Sequence, residues 1–249
     1  MPFLVKLWYS YTGKKYIENN GFYDSADFAW SKALEENFDV IRQEIFDFLK
    51  LNKHRLLPYL NKDLLSGPDK WKALSFIFWD MQIDINAEVI PKTIAIVKNI
   101  PGLTGLSLSL LEPQAKIKRH RGDTNATVRC HFPLDVPGKL PECGFKVGEE
   151  SVSWEEGKLI VFNDAAIHEA WNLTDKQRLV LILDVFRPEF SHKRKSVCSH
   201  VLTDIFWQWY ASRKKWTRRM PRVLRNTLIY PLLRFMYSSE YLFRKMYTS

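Results

Sequence analysis

Arg178-Leu-Val-Leu-Ile-Leu-Asp-Val-Phe186 is a strongly apolar run opened by an arginine and interrupted only by Asp184. A run of this kind, bounded by polar turn residues, reads as a buried strand. Shorter strand-like runs precede it at Leu106-Ser-Leu-Ser-Leu-Leu111, Thr124-Asn-Ala-Thr-Val-Arg-Cys-His-Phe132, Gly144-Phe-Lys-Val147 and Lys158-Leu-Ile-Val-Phe162. Turn signals separate them at Glu112-Pro113, Pro137-Gly138, Gly148 and Glu155-Glu-Gly157. Short strands at this spacing predict a small antiparallel barrel or jelly roll.

Upstream of residue 100 the period is helical. Phe28, Leu34, Phe38, Ile41, Ile45 and Leu49 recur at helical spacing across 25–50, with a Ser or Asp near position 25 as the cap. A second helix is expected around 90–97, starting near Pro91 and stopping before Pro101 and Gly102. Helical patterning returns from about residue 200. The expected fold is therefore mainly β with flanking helices: an N-terminal helical region over 1–100 packed on the core, a jelly-roll core over 101–191, and a basic, aromatic helical tail over 192–249.

Charge divides along the same line. The 249 residues carry 37 Lys+Arg against 28 Asp+Glu, a net +9. Residues 192–249 hold thirteen of the basic side chains and only two acids, Asp204 and Glu240, so the tail is +11 and the rest is −2. With 46% hydrophobic and 26% charged residues, disorder throughout is excluded. No stretch approaches the roughly 20 apolar residues of a membrane span; between Arg225 and Arg234 lies only Asn226-Thr-Leu-Ile-Tyr-Pro-Leu-Leu233. Met1-Pro-Phe-Leu-Val-Lys-Leu-Trp-Tyr9 carries Lys6 inside its apolar run and no small-residue cleavage site, unlike a signal peptide. Cys130, Cys143 and Cys198 form no CxxC pair and leave an odd thiol, which suits a reducing compartment. The expected location is the cytoplasm, with the tail peripheral at the inner face of a membrane.

Three of the six histidines, His120, His131 and His168, fall in the β-rich segment; His54, His192 and His200 read as surface residues. His120 ends Lys116-Ile-Lys-Arg-His120 just before Gly122, and His168 sits in a short loop after an apolar strand. Arg129 and His131 are two apart on an expected strand and so share a face. Arg178 would be costly to bury without an anion; its partner is either a structural carboxylate such as Asp184 or a small carboxylate ligand, for which arginine's fork is suited. Two histidines free for a metal, with inward arginines and a further histidine, would suit an iron site that holds a dicarboxylate.

The order of motifs is also familiar. Ser109-Leu-Leu-Glu-Pro113, His120-Arg-Gly-Asp-Thr-Asn125, Arg129-Cys-His131, Trp154-Glu-Glu-Gly-Lys158, Phe162-Asn-Asp164, His168-Glu-Ala-Trp171 and Arg178 through Glu189 resemble, in order, the catalytic domain of the aspartyl/asparaginyl β-hydroxylases. The resemblance extends more weakly upstream through Trp30 to Lys50 and Pro91-Lys-Thr93. It implies a double-stranded β-helix (jelly-roll, cupin-like) and an Fe(II)- and 2-oxoglutarate-dependent dioxygenase using O2. It assigns iron binding and catalysis to His120 and His168. The distal carboxylate of 2-oxoglutarate falls to Arg178 with help from Ser109, and the other end of that cosubstrate to Arg129 and His131. Most such oxygenases bind iron through two histidines and a carboxylate, the first histidine opening an H-x-D motif. Here that position is Gly122, which looks like the β-hydroxylases that keep H-x-G and implies a weaker hold on iron. Asp123 lies next to it, but in an extended segment it points away from the face of 120 and 122 unless the loop re-aims it.

The tail interleaves Trp207, Trp209, Tyr210, Tyr230, Phe235, Tyr237, Tyr241 and Phe243 with its cations, including Arg213-Lys-Lys-Trp-Thr-Arg-Arg219. Basic aromatic helices lie on anionic membranes; a solvated basic face on a packed helix is the plainer alternative, and a nucleic-acid partner is disfavoured because no binding motif accompanies the tail. Relatives of the family include lipid A acyl hydroxylases, some of which end in similar segments but keep H-x-D. The resemblance therefore implies hydroxylation of an unactivated C–H bond, with the β-carbon of peptidyl Asp/Asn first, a lipid acyl chain at the membrane surface second, and an inactive β-helix binding module as the reading from another class.

Overall fold

Alternation along the strands builds two antiparallel sheets that face each other. In the computed structural model, residues 5–17, 21–59, 61–67, 69–214, 217 and 220–237 are described. Their strands are β1 (Phe22–Tyr23), β2 (Leu57–Pro58), β3 (Trp71–Phe78), β4 (Met81–Gln82), β5 (Leu103–Leu111), β6 (Ala115–His120), β7 (Thr127–Asp135), β8 (Cys143–Val147), β9 (Glu150–Val152), β10 (Ile160–Phe162), β11 (His168–Asn172) and β12 (Arg178–Phe186). The larger sheet runs β1-β10-β7-β12-β5-β3-β2, with β4 on β3, and the smaller runs β6-β11-β8-β9. This is the jelly-roll framework that the strand spacing implies.

The larger sheet is buried on both faces, which explains why β5 and β12 read as nearly continuous apolar runs. On one face Leu106, Leu108, Val128, Cys130, Leu181 and Leu183 pack with Leu34, Ile41, Ile45 and Phe48 of α1 (Ser31–Glu36) and α2 (Phe38–Asn52), and with Val97 of α4 (Pro91–Val97), which follows the short α3 (Asp84–Ala87). The other face, carrying Trp71, Leu111, Phe162 and Val180, meets Ile117, Phe145, Val147 and Ala170 of the smaller sheet. Residues of the functional motifs line the space between the sheets.

Several sequence expectations change. The helix expected over 25–50 is broken: Asp24 caps a short 3-10 turn at Ser25–Asp27, Phe28 is extended, and Asn37 separates α1 from α2. Its apolar positions still meet one core, because Leu34, Ile41 and Ile45 are all fully buried. The first hundred residues are not only helical; β3 pairs with β5 across Trp71↔Leu111 to Ile77↔Leu106. His168 opens strand β11 instead of lying in a loop. Cys130, Cys143 and Cys198 are buried and form no disulfide.

By contact the chain divides into Met1–Pro188 and Glu189–Ser249. In the second unit, α5 (Arg194–Arg213) is followed by a helical segment at 222–237 whose Arg225–Ile229 turn is π-helical. The Tyr230 hydroxyl donates to buried Asp204, and the Arg234 guanidinium donates to the Tyr230 carbonyl (3.1 Å) and meets the His200 ring (2.6 Å). His200 is thus part-buried and bonded, against its surface expectation. Trp216, Tyr241 and Phe243 of the expected tail helix lie outside the described residues. Among the described residues no helix is long and apolar enough to cross a membrane.

Candidate active site

The two histidines of the iron-binding expectation lie opposite each other, at the end of β6 and the start of β11, in the register His168↔His120. Their ring centroids are 4.1 Å apart. Strand parity alone would not have brought them together. Ala115 and Ile117 point inward, so simple alternation would turn residue 119 inward and 120 out. Between the pairs Ala170↔Ile117 and His168↔His120 the register slips by one residue, a bulge in β6 that swings His120 to the inner face.

Each ring is oriented by its own backbone. Nδ1 of His120 lies 2.7 Å from the Lys118 carbonyl and Nδ1 of His168 lies 2.9 Å from the Ala166 carbonyl. A carbonyl only accepts, so Nδ1 carries the proton in both rings and Nε2 keeps its lone pair, the tautomer a metal needs. Burial lowers the pKa of both, His168 most strongly and with a contribution from His120, so both rings are held neutral.

A carboxylate stands at this corner, from a residue that had no role in the sequence reading. Asp164 sits in the turn before β11, which is tied by Asn163 Oδ1 accepting from Ala165 N (3.1 Å) and by Arg121 Nη1 donating to the Ala165 carbonyl (2.8 Å). Asp164 Oδ1 is 3.7 Å from His168 Nε2. A Cβ built on Gly122 would fall 1.6 Å from Asp164 Oδ2. The space that the H-x-D carboxylate would fill is therefore taken by Asp164, and Gly122 is small because that carboxylate is there. Gly122 N–H also donates to the Asp164 carbonyl at 2.7 Å. In the sequence Asp164 is marked by the Phe162-Asn-Asp164 motif and by its place four residues before His168.

Arg129, expected to contact the cosubstrate, meets two carboxylates of the protein. Its Nε and Nη2 meet Asp184, the residue opposite it on β12, at 2.7 and 3.1 Å, and its Nη1 lies 2.9 Å from Asp164 Oδ1. Burial would lower its pKa, but the two carboxylates outweigh that and raise it well above the ordinary value. Asp184 is thus the partner of Arg129, not of Arg178, and Arg129 holds Asp164 beside the imidazoles.

Among the described residues Arg178 has no such partner. It is 1% exposed, and neither its Nε nor its Nη1 makes a hydrogen bond. Its guanidinium lies 4.7 Å over the Trp154 ring, and burial pulls its pKa down to about 10. Trp154 also donates Nε1–H to Nδ1 of His131 at 3.2 Å. With Nδ1 accepting, the proton of His131 must sit on Nε2. Burial, followed by the charges of Arg178 and Arg129, holds that ring neutral. Ser109 Oγ accepts from Trp71 Nε1 at 3.0 Å, which leaves its own hydroxyl proton to donate. Trp154 and Trp71, given no role by the sequence, orient His131, Arg178 and Ser109.

The site therefore has two ends. One offers two imidazole lone pairs beside a carboxylate; the other offers a dry guanidinium with unused donors. Among the described residues no cluster of three or more His, Cys, Asp or Glu side chains is arranged as a metal cage.

The family profile described as aspartyl/asparaginyl β-hydroxylase matches residues 35–188. An ornithine lipid ester-linked acyl 2-hydroxylase of Rhizobium tropici is 34% identical over 190 residues, covering 74% of this chain and 67% of that protein. The human aspartyl/asparaginyl β-hydroxylase is 30% identical over 169 residues, which is 66% of this chain but 22% of its own length. Among solved structures, a Pseudomonas putida prolyl-4-hydroxylase aligns with a TM-score of 0.41 and 17% identity over 68% of this chain and 94% of that one.

Proposed function

The chain belongs to the aspartyl/asparaginyl β-hydroxylase family, and on that premise we propose that it is an Fe(II)- and 2-oxoglutarate-dependent dioxygenase that hydroxylates a methylene next to a carbonyl carbon. The observation that carries this reading is Arg178: a fully buried guanidinium with two unused donor nitrogens demands an anion. A small carboxylate delivered to the site meets that demand, and the distal carboxylate of 2-oxoglutarate matches its fork.

The residues present fit both groups. His120 and His168 would hold the iron through Nε2. Bound there with 2-oxoglutarate and dioxygen, it supplies the oxidation that converts C–H to C–OH while the cosubstrate becomes succinate and carbon dioxide. The chain's own residues orient and exclude. Arg178 and the Ser109 hydroxyl anchor one end of the cosubstrate, and His131 Nε2–H donates to its carboxylate oxygens. Asp164, fixed by Arg129, presents an acceptor beside the imidazoles. Phe145 and Phe162 pack on both His131 and His168, with centroids 4.7 to 6.0 Å apart, and keep the interior dry.

Two substrates share the required chemistry, because an acyl C2 and the β-carbon of Asp or Asn are each a methylene bonded to a carbonyl carbon. A peptidyl Asp/Asn side chain is supported by H-x-G. A lipid acyl chain is favoured by the Rhizobium relative, of whose length the chain covers three times the share it covers of the human protein. The inactive-module reading loses its motive, since the carboxylate missing at Gly122 has a spatial substitute in Asp164. Succinate release from 2-oxoglutarate with Fe(II) and ascorbate, compared among the wild type, His168→Ala and Arg178→Met, tests the enzyme. Turnover in the wild type alone is expected; equal turnover in all three would overturn it. Mass spectrometry for a one-oxygen gain in ornithine-lipid and Asp-peptide substrates then separates the two classes.

A further inference from the structure

The helical segment 222–237 points the wrong way for a helix packed only against protein. Val223, Leu224, Leu228, Leu232, Phe235 and Met236 recur at helical spacing along one side. They are exposed, with Leu228 and Leu232 each at 61% and Phe235 at 72%. The opposite side is locked inward by polar anchors. Tyr230 is buried with its hydroxyl on Asp204, the Arg234 carbonyl accepts from Ser199 Oγ at 3.0 Å, and the Arg234 guanidinium meets His200. These bonds fix the rotation of the segment about its axis, so the apolar stripe is a built surface rather than a helix free to turn over.

We propose that this stripe is an interfacial anchor that seats the chain on an anionic lipid bilayer. The charge of this part of the sequence selects that occupant. Residues 189–249 contain thirteen basic side chains and three acids, and one of those acids, Asp204, is turned into the interior. Arg222 adjoins Val223 in an exposed position, and Arg213 and Lys214 at the end of α5 are exposed as well. An exposed apolar ridge with Arg222 beside it, in a strongly basic unit, matches the boundary between acyl chains and acidic headgroups. At about 1.5 Å per residue the ridge from 223 to 236 is roughly 20 Å long, and with Arg225 and Arg234 within it the helix lies along a membrane surface and does not cross it. The proposal does not depend on the hydroxylase reading, because vesicle binding needs neither iron nor cosubstrate.

The test uses the full chain and vesicles of phosphatidylcholine with about one-third phosphatidylglycerol, against phosphatidylcholine alone. The wild type is expected to float with the anionic vesicles and far less with the neutral ones. The pair Leu228→Glu/Leu232→Glu, on an exposed face and so neutral to folding by circular dichroism, should lower the bound fraction about tenfold or more. The native cysteines are buried, so an environment-sensitive dye on Leu232→Cys reports this place alone and should shift to the blue on anionic vesicles. A wild type that does not float, a double variant that floats equally, or an unshifted dye on a floating protein would each overturn the proposal. So would sedimentation showing that the double substitution only dissolves a dimer, which would make the ridge an interface between copies of this chain.

Discussion

Replacing Arg178 with methionine pulls apart stability and binding, with opposite signs. Among the described residues the guanidinium has no carboxylate partner, and it is buried with Nε and Nη1 unsatisfied. A buried unsatisfied polar group costs about 1–3 kcal/mol, of which the stacking over Trp154 returns about 1–2 kcal/mol. A methionine thioether keeps an aromatic contact at that ring without the desolvation. The variant should therefore be more stable by roughly 1 kcal/mol, raising Tm by about 2–4 °C for a chain of this size. Binding moves the other way. Two charge-assisted hydrogen bonds to a carboxylate are worth about 1.5–3 kcal/mol each. Their loss weakens 2-oxoglutarate by roughly 10²–10⁴-fold. Thermal unfolding with and without 2-oxoglutarate and Mn(II), which binds in place of iron without turnover, reads both effects. The wild type should rise on ligand addition, while the variant should start higher and stay put. Arg178→Lys keeps a charge but loses the fork, and should not recover binding. A methionine variant that unfolds at lower temperature and still shifts with 2-oxoglutarate would refute the assignment of this guanidinium to the cosubstrate.

Gly122→Asp alone should destabilise the protein and bind metal no better, since its Cβ would lie 1.6 Å from Asp164 Oδ2. Combined with Asp164→Ala it gains the room and should bind Co(II) about 10-fold more tightly than wild type in an absorbance titration; a single variant that folds and tightens by itself would contradict the replacement of one carboxylate by the other. Arg129→Met strands the carboxylates of Asp164 and Asp184 and should cost about 3–5 kcal/mol in urea unfolding, with Asp184→Leu in the same chain restoring part of it; no loss would mean that the pair is not what holds Asp164. For Asp204, burial raises the pKa despite the bonds from Tyr230 and Gln208. The folded state therefore holds that proton more tightly than the unfolded one, so stability is lost as pH rises from the ordinary carboxylate range through the raised folded value. Asp204→Asn should lack that loss and be the more stable at pH 7 by denaturant unfolding, and equal pH profiles for the two would refute it.

The sequence by itself determined the local elements. β12 runs from Arg178 to Phe186 and α4 from Pro91 to Val97, as apolar runs and a helix-starting proline dictate, because burial on a sheet and helix initiation are decided by neighbours in the chain. It also determined which side chains were chemically unusual: an arginine opening an apolar strand, and histidines in a β-rich segment. Strand β3, with Lys72 and Ser75 in its run, carries a weaker local signal and takes its place by pairing with β5. Only the tertiary structure decided how the unusual residues were matched. Arg129 and Arg178 are alike in the sequence, yet Asp184 is 55 residues from Arg129 and six from Arg178, and it pairs with the distant one because the register of β7 on β12 sets them opposite. That pairing leaves Arg178 free for a ligand. The bulge that turns His120 inward, and the fit of Asp164 into the space left by Gly122, likewise belong to contacts across strands. Periodicity records which face of a strand is buried; register, which no local pattern encodes, decides which charge finds which partner.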